Sequence, residues 1–252
     1  MDTASILSDL AAEHSALDAV LGDLSPHDWV RPTPSAGWSV ADQISHLQFF
    51  DERAVMALVD PDGFVIDRDA LIAAAPHDGS VDLGRRVDHR ELFDRWRRSS
   101  AALRAVAVDD TARVQWYGPS MSVASFLTAR LMECWTHGHD VCSAVGRDPI
   151  VTPRLRHVAH IGVTARPFSL AINGLSPDTA PIRVDLVAPD GSPWSWGPAD
   201  ASDRVSGDAL DFCLVVTQRR RPEESGLGVV GDSARTWIDV AQAFAGPPRR
   251  RP

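Results

Sequence analysis

The stretch from Ser122 to Gly146 constrains this 252-residue chain more than any other. It is an apolar run that reads as one long helix, closed by a glycine suited to the position just past a helix end. Within it lie Glu133-Cys134-Trp135-Thr136-His137-Gly138-His139-Asp140. A helical period of 3.6 residues sets Glu133 and His137 one above the other on a single face. A carboxylate and an imidazole so placed can ligate one divalent metal. Asp140, one turn further on, is positioned to orient His137 from behind as a hydrogen-bond acceptor. Cys134 falls roughly 100° and His139 roughly 200° around the helix from that stripe, so neither is expected as a ligand.

Two ligands are half a site, and the rest of the chain has to supply more. Ile6, Leu7, Leu10, Leu17, Val20 and Leu21 recur at helical spacing, predicting a first helix from about Asp2 to Leu24, stopped by Ser25-Pro26. Ser39 is a predicted N-cap, with Asp42 at the third helical position, for a helix from Val40 to about Val59 that Pro61-Asp62-Gly63 ends. Phe64 to Ser80 shows no decisive pattern. A further amphipathic helix is expected from near Asp82, carrying Leu92, Phe93, Trp96, Leu103 and Val106. Asp109 to Met121 reads as a linker. Four long amphipathic helices imply a bundle, with sites built from facing helices.

The pattern changes after Thr152-Pro153. A helix is expected from Arg154 to about Arg166, a strand at Ile182–Leu186, a hairpin turn at Asp190-Gly191 and a second strand at Trp194–Gly197. Val205-Ser206-Gly207 leads into a predicted helix from Asp208 to about Gln218, and a last helix spans Asp232 to Phe244 before the arginine tail. The expected architecture is therefore α + (α+β), a helix bundle over residues 1–152 and a small α+β domain over 153–252.

Charge and cysteine usage narrow the function. A formal charge of −9 disfavours nucleic acid, whose binding needs a basic face, and an anionic membrane surface equally. Cys134, Cys142 and Cys213 are three in number and lack CxxC spacing, so neither a disulfide framework nor a structural zinc knot is expected. No signal peptide or membrane-spanning run is visible, and the cytoplasm is the expected compartment. All non-histidine basic residues are arginine, which reads as the codon bias of a GC-rich genome.

His46, midway along the second helix, is the best candidate for a third ligand. Facing Glu133 and His137, it completes a two-nitrogen, one-oxygen set with open positions, suited to zinc, nickel or iron(II). Gly37-Trp38-Ser39, then His46-Leu47, then Arg130 to Asp140 and Gly146 together resemble the DinB/YfiT-like metal-binding four-helix bundles. The resemblance is closest to their actinobacterial branch, which includes mycothiol-dependent maleylpyruvate isomerase and carries a small α+β domain after the bundle. It implies His46, Glu133 and His137 as metal ligands, zinc as the first choice of metal, and mycothiol or a similar thiol as co-substrate. It also implies a thiol-dependent transferase or isomerase acting on a small molecule, with the metal lowering the thiol pKa. The alternatives are a hydrolase or lyase using metal-bound water, and a non-catalytic metal-binding module.

The run from Asp211 to Arg221 resembles branch members with no assigned reaction. Arg219 and Arg220 follow a helix end, where cations are favoured; the sharper expectation is that they grip a substrate carboxylate. No other residue is assigned a role in catalysis, and a monomer or homodimer fits the sequence equally.

Overall fold

The computed structural model describes residues 2–74 and 78–246; the arginine tail lies outside the described residues. Contacts divide the chain into two units, Met1–Ile150 and Val151–Pro252, two residues before the boundary expected from sequence.

The first unit is helical. Asp2 caps α1 (Thr3–Gly22) by accepting from the Ser5 amide, and Ile6, Leu10, Leu17 and Leu21 form its buried stripe. Ser39 and Asp42 close both halves of a capping box at the start of α2 (Val40–Val59), Ser39 Oγ accepting from the Asp42 amide at 3.2 Å and Asp42 Oδ2 from the Ser39 amide at 2.8 Å. This satisfies two amide donors that a helix start would otherwise leave unpaired.

Of the stretch left undecided from Phe64 to Ser80, residues 64–73 belong to α3 (Pro61–Ala73), and residues 75–77 lie outside the described residues. Pro61 follows the end of α2 at Val59, as expected, and also opens the next helix. Asp60 caps the Gly63 amide at 3.1 Å, and a proline in the first turn has no amide to leave unsatisfied. The next helix also starts later than expected. A short 3-10 turn at Gly79–Val81 precedes it, and α4 (His89–Ala105) begins only where Asp88 caps the amides of Arg90 and Glu91. The linker holds a minimal hairpin, β1 (Arg113–Val114) against β2 (Met121–Ser122).

Helix α5 (Val123–Val145) opens on Ser122, which caps Ser125, and closes at Gly146 in the left-handed conformation with φ 69°. Packing joins α1 to α5 and α2 to both α4 and α5. Leu17, Leu21, Val40, Ile44, Leu47, Leu92, Trp96, Cys134 and Val141 form one buried cluster among them. The helix carrying His46 therefore lies directly against the helix carrying Glu133 and His137.

The second unit begins with two helices where one was expected, α6 (Leu155–Thr164) and α7 (Arg166–Ile172), with Pro167 in the first turn of the latter. Its sheet has the order β4-β3-β5-β6, formed by β3 (Ile182–Val187), β4 (Pro193–Trp196), β5 (Asp203–Asp208) and β6 (Gly228–Val230). The β3–β4 hairpin turns at Gly191, whose φ of 81° favours glycine. Strand β5 pairs in parallel with β3, Val184 beside Val205, and β6 is antiparallel to β5.

The Val205-Ser206-Gly207 segment leads into a helix as expected but is itself strand, and β6 has no counterpart among the sequence expectations. Helices α8 (Ala209–Val216) and α9 (Asp232–Val240) supply Phe212 and Trp237 to the core, and α9 stops short of the expected Phe244. Among the described residues, no helix is long and apolar enough to cross a membrane.

Candidate metal centre

His46 projects from the second turn of α2, while Glu133 and His137 project from successive turns of α5. Their ligand atoms all lie within 4.8 Å of one another. Glu133 Oε2 is 3.2 Å from His137 Nε2 and 3.9 Å from His46 Nε2, and the two imidazole centroids are 4.5 Å apart. The cluster is half-buried, with side-chain exposures of 18% at His46, 22% at Glu133 and 8% at His137. It is reachable by a small ligand without being fully solvated.

Each imidazole has its far nitrogen engaged. His137 Nδ1 makes a close hydrogen bond with Gln43 Oε1, and His46 Nδ1 meets Ser80 Oγ at 2.9 Å. Both Nε2 atoms are left facing the carboxylate. Two nitrogens and a carboxylate oxygen converging in this way form a donor set that fits a zinc-like cation with coordination positions to spare.

Burial by itself would push the Glu133 carboxyl up. The hydrogen bond from His137 and the charges of His137, His46 and Arg130 outweigh burial and hold it down at about 2. The group is therefore an anion across the physiological range, as a metal-ligating carboxylate has to be.

Aromatic rings wall the cluster. The Trp38 ring lies 5.0 Å from that of His46 and stacks over His137 at 5.9 Å with an interplanar angle of 17°. Phe50 presents an edge contact to His46 at 4.6 Å. These low-polarity neighbours strengthen any charge interaction at the cluster. Behind it, the buried Arg130 pairs with Asp51 at 2.9 Å.

Asp140 stands one link further back than the sequence implied. It accepts from Ser35 Oγ at 2.8 Å and from Gln43 Nε2 at 3.3 Å, and it is the Gln43 carbonyl that meets His137. Sequence reasoning passed over Gln43 and Ser80. Gln43 did carry a signal, a polar residue one turn before His46 on the buried side of α2. Ser80 carried none, being brought in by the 3-10 turn. His139 points away and stacks on Trp135. Cys134 is buried in the core.

Arg219 and Arg220 belong to the second unit, just past α8. Arg219 Nη1 donates to the Thr217 carbonyl at 2.9 Å, and Arg220 forms an ion pair with Asp211.

Comparison with known proteins places this centre in context. The family model of the mycothiol maleylpyruvate isomerase N-terminal domain matches residues 10–142, which include all three side chains of the cluster. The chain belongs to that family. Residues 178–223, in the second unit, match a model described as wyosine base formation. Within the isomerase-domain family, the chain is 42% identical over 257 residues to an uncharacterised protein of Mycobacterium tuberculosis, found in two strains, covering 99% of this chain and 98% of the relative.

A crystal structure of mycothiol-dependent maleylpyruvate isomerase superposes with a TM-score of 0.56, covering 100% of this chain and 98% of that one. A single-residue mutant of the isomerase gives 0.59, covering 90% and 93%. Identity is 14% in both cases, so these two likenesses speak to fold alone.

Proposed function

We propose that the chain is a metal-dependent enzyme that uses a low-molecular-weight thiol, of the mycothiol type, to transfer to or isomerise a small molecule. The observation that carries this is the convergence of His46, Glu133 and His137 on one point between α2 and α5. Membership of the isomerase-domain family supports the thiol. In this proposal the four long helices act as a DinB-like bundle and the three side chains hold one divalent cation, zinc being the best match to two imidazoles and a carboxylate.

A zinc ion held there supplies a Lewis acid that keeps a bound thiol in its nucleophilic thiolate form near neutral pH. The chain's own residues do the rest. Glu133 contributes the one formal negative charge among the three ligands, leaving the centre net positive and attractive to a thiolate. Trp38 and Phe50 limit water at the thiol position and offer flat apolar surface to an unsaturated substrate.

The test joins elemental analysis of the purified protein to turnover assays with mycothiol and glutathione. One metal per chain, together with thiol-dependent activity that His46→Ala abolishes, is the expected result. Turnover that proceeds without any thiol would replace this function with hydrolysis by metal-bound water. Full activity in a metal-free His46→Ala protein would end it.

A further inference from the structure

Gln43 and Ser80 engage the two imidazoles, and each is itself held by an aspartate. We propose that Asp140 acting through Gln43, and Asp78 acting through Ser80, lock His137 and His46 in the Nδ1–H tautomer and thereby set the cluster's metal affinity. The consequence for affinity rests on the metal centre proposed above; the assignment of the tautomers does not.

The protons can be placed one at a time. Gln43 is fully buried, and its Nε2 donates to Thr33 Oγ1 at 2.8 Å and to Asp140 Oδ2 at 3.3 Å. Flipping the amide would set its carbonyl oxygen against the Asp140 carboxylate, two acceptors with no proton between them. The carbonyl therefore faces His137, and because it can only accept, His137 Nδ1 must donate. Thr33 cannot reverse the scheme, since its hydroxyl proton is given to the Trp38 carbonyl at 3.0 Å. Ser35 adds a second donor to the same Asp140 oxygen at 2.8 Å, fixing the carboxylate that fixes the amide.

The second relay has the same logic with a hydroxyl in place of the amide. Ser80 Oγ gives its single proton to Asp78 Oδ1 at 2.6 Å, so toward His46 Nδ1, 2.9 Å away, it can only accept. The Ser80 carbonyl is held in turn by Ser45 Oγ at 2.7 Å. Ser45 immediately precedes His46, so the turn is tied to the same stretch of helix that carries the ligand. Both rings thus keep a proton on Nδ1 and face Glu133 through Nε2, where His137 Nε2 at 3.2 Å from Glu133 Oε2 shares a proton with the carboxylate that a bound cation would displace. A charged partner at Nδ1 would add negative charge to the site; a neutral amide and a neutral hydroxyl orient the rings without doing so. Asp140 and Asp78 are positioning residues, one hydrogen bond removed from the rings they orient.

Two measurements test this. Long-range nitrogen–proton NMR on metal-free wild-type protein at mildly alkaline pH reads the tautomers directly. Protonated Nδ1 at both His46 and His137 is expected, and an Nε2–H neutral ring at either would overturn the assignment for that ring. Zinc affinity by chelator competition reads the consequence. Gln43→Leu and Ser80→Ala should each weaken binding by about 10–100-fold, the usual cost of losing such a support.

The swap Gln43→Glu with Asp140→Asn reverses the donor and acceptor along the relay while still presenting an acceptor to His137. It should recover affinity that Gln43→Glu alone loses by facing Asp140 with a second carboxylate. Wild-type affinity in Gln43→Leu, or a double variant no better than Gln43→Glu, would overturn the relay. Should Gln43→Leu fail to fold, Ser80→Ala and the tautomer spectrum still decide. Wild-type protein that binds no zinc would sink the proposed metal centre and leave the tautomer assignment to be judged by NMR alone.

Discussion

Replacing Arg130 by methionine should destabilise the helical unit severely, and more so at neutral than at acidic pH. Arg130 and Asp51 meet at 2.9 Å with side-chain exposures of 4% and 2%, so water screens neither charge. Burial drives the Asp51 carboxyl up, and the Arg130 guanidinium is the main influence pulling it back. Deleting the cation leaves a carboxylate in a dry interior without its partner, a change that costs roughly 3–5 kcal/mol. For a unit of this size each kcal/mol moves the midpoint by roughly 2–4 °C, so a fall of about 6–20 °C is expected.

The sign with pH follows from Asp51. Without Arg130 its folded pKa rises further above the unfolded value, so the penalty is present at neutral pH and shrinks as acid protonates the group. Circular dichroism melts at neutral and mildly acidic pH measure both effects. Asp51→Leu with Arg130→Met removes both charges and should melt near wild type, because exchanging a buried pair for packed apolar groups is often neutral. An Arg130→Met protein that melts within a degree or two of wild type would refute the reasoning, as would a double variant as unstable as the single one.

Other positions make separate predictions. Burial first, and then the positive charges of Arg104 and Arg130, hold His14 down at about 3, and Arg104 Nη1 sits 2.8 Å from its Nδ1. The unfolded chain therefore takes up a proton that the fold refuses between about pH 6.5 and 3, so stability present above pH 6.5 is lost on acidification, by about 5 kcal/mol in all. His14→Leu should flatten that slope in pH-dependent melts. Gly138 lies inside α5, and a Cβ there would touch Leu17 Cδ1 at an ordinary 3.6 Å; Gly138→Ala should stabilise by roughly 0.5–1 kcal/mol in denaturant titration. A Cβ at Gly162 would instead lie 2.7 Å from Val216 Cγ2, on a short branched side chain that cannot swing clear. Gly162→Ala should destabilise by roughly 1–3 kcal/mol in the same assay.

The nearness of Glu133 to His137 is legible in sequence because both lie on one helix and its period fixes their face. The approach of His46 is less so, depending on α2 packing against α5, and the resemblance of the surrounding motifs supplied what periodicity could not. Gln43 carried only the weak signal of a polar residue one turn before His46, and Ser80 and the retreat of Asp140 behind Gln43 were beyond reach. A hydrogen bond to a ring nitrogen is decided by tertiary distance, and no spacing rule encodes it. Pro61 closes α2 as its residue type suggests, and also begins α3 once Asp60 caps the turn, a second role that no pattern in Phe64–Ser80 disclosed. Strand β5 was hidden because Val205 is the sole fully buried side chain in Asp203–Asp208, and its pairing to β3 is parallel and non-local.

The two kinds of support around the cluster solve different physical problems. Orientation is the first, met by neutral groups that present acceptors to each Nδ1. Charge is the second. Both Nε2 atoms face Glu133 Oε2, and the three lie within 4.8 Å of one another in a setting lined by Trp38 and Phe50. Such an arrangement is costly unless a cation or an added proton lies among them. Arg130 relieves part of the cost from one turn N-terminal to Glu133, yet its guanidinium is committed to Asp51 and cannot enter the cluster. A proton satisfies one pair of these atoms, whereas a small cation would engage all three at once. The polar interior of the helical unit is therefore organised around three converging acceptor groups, brought together by the packing of α2 on α5.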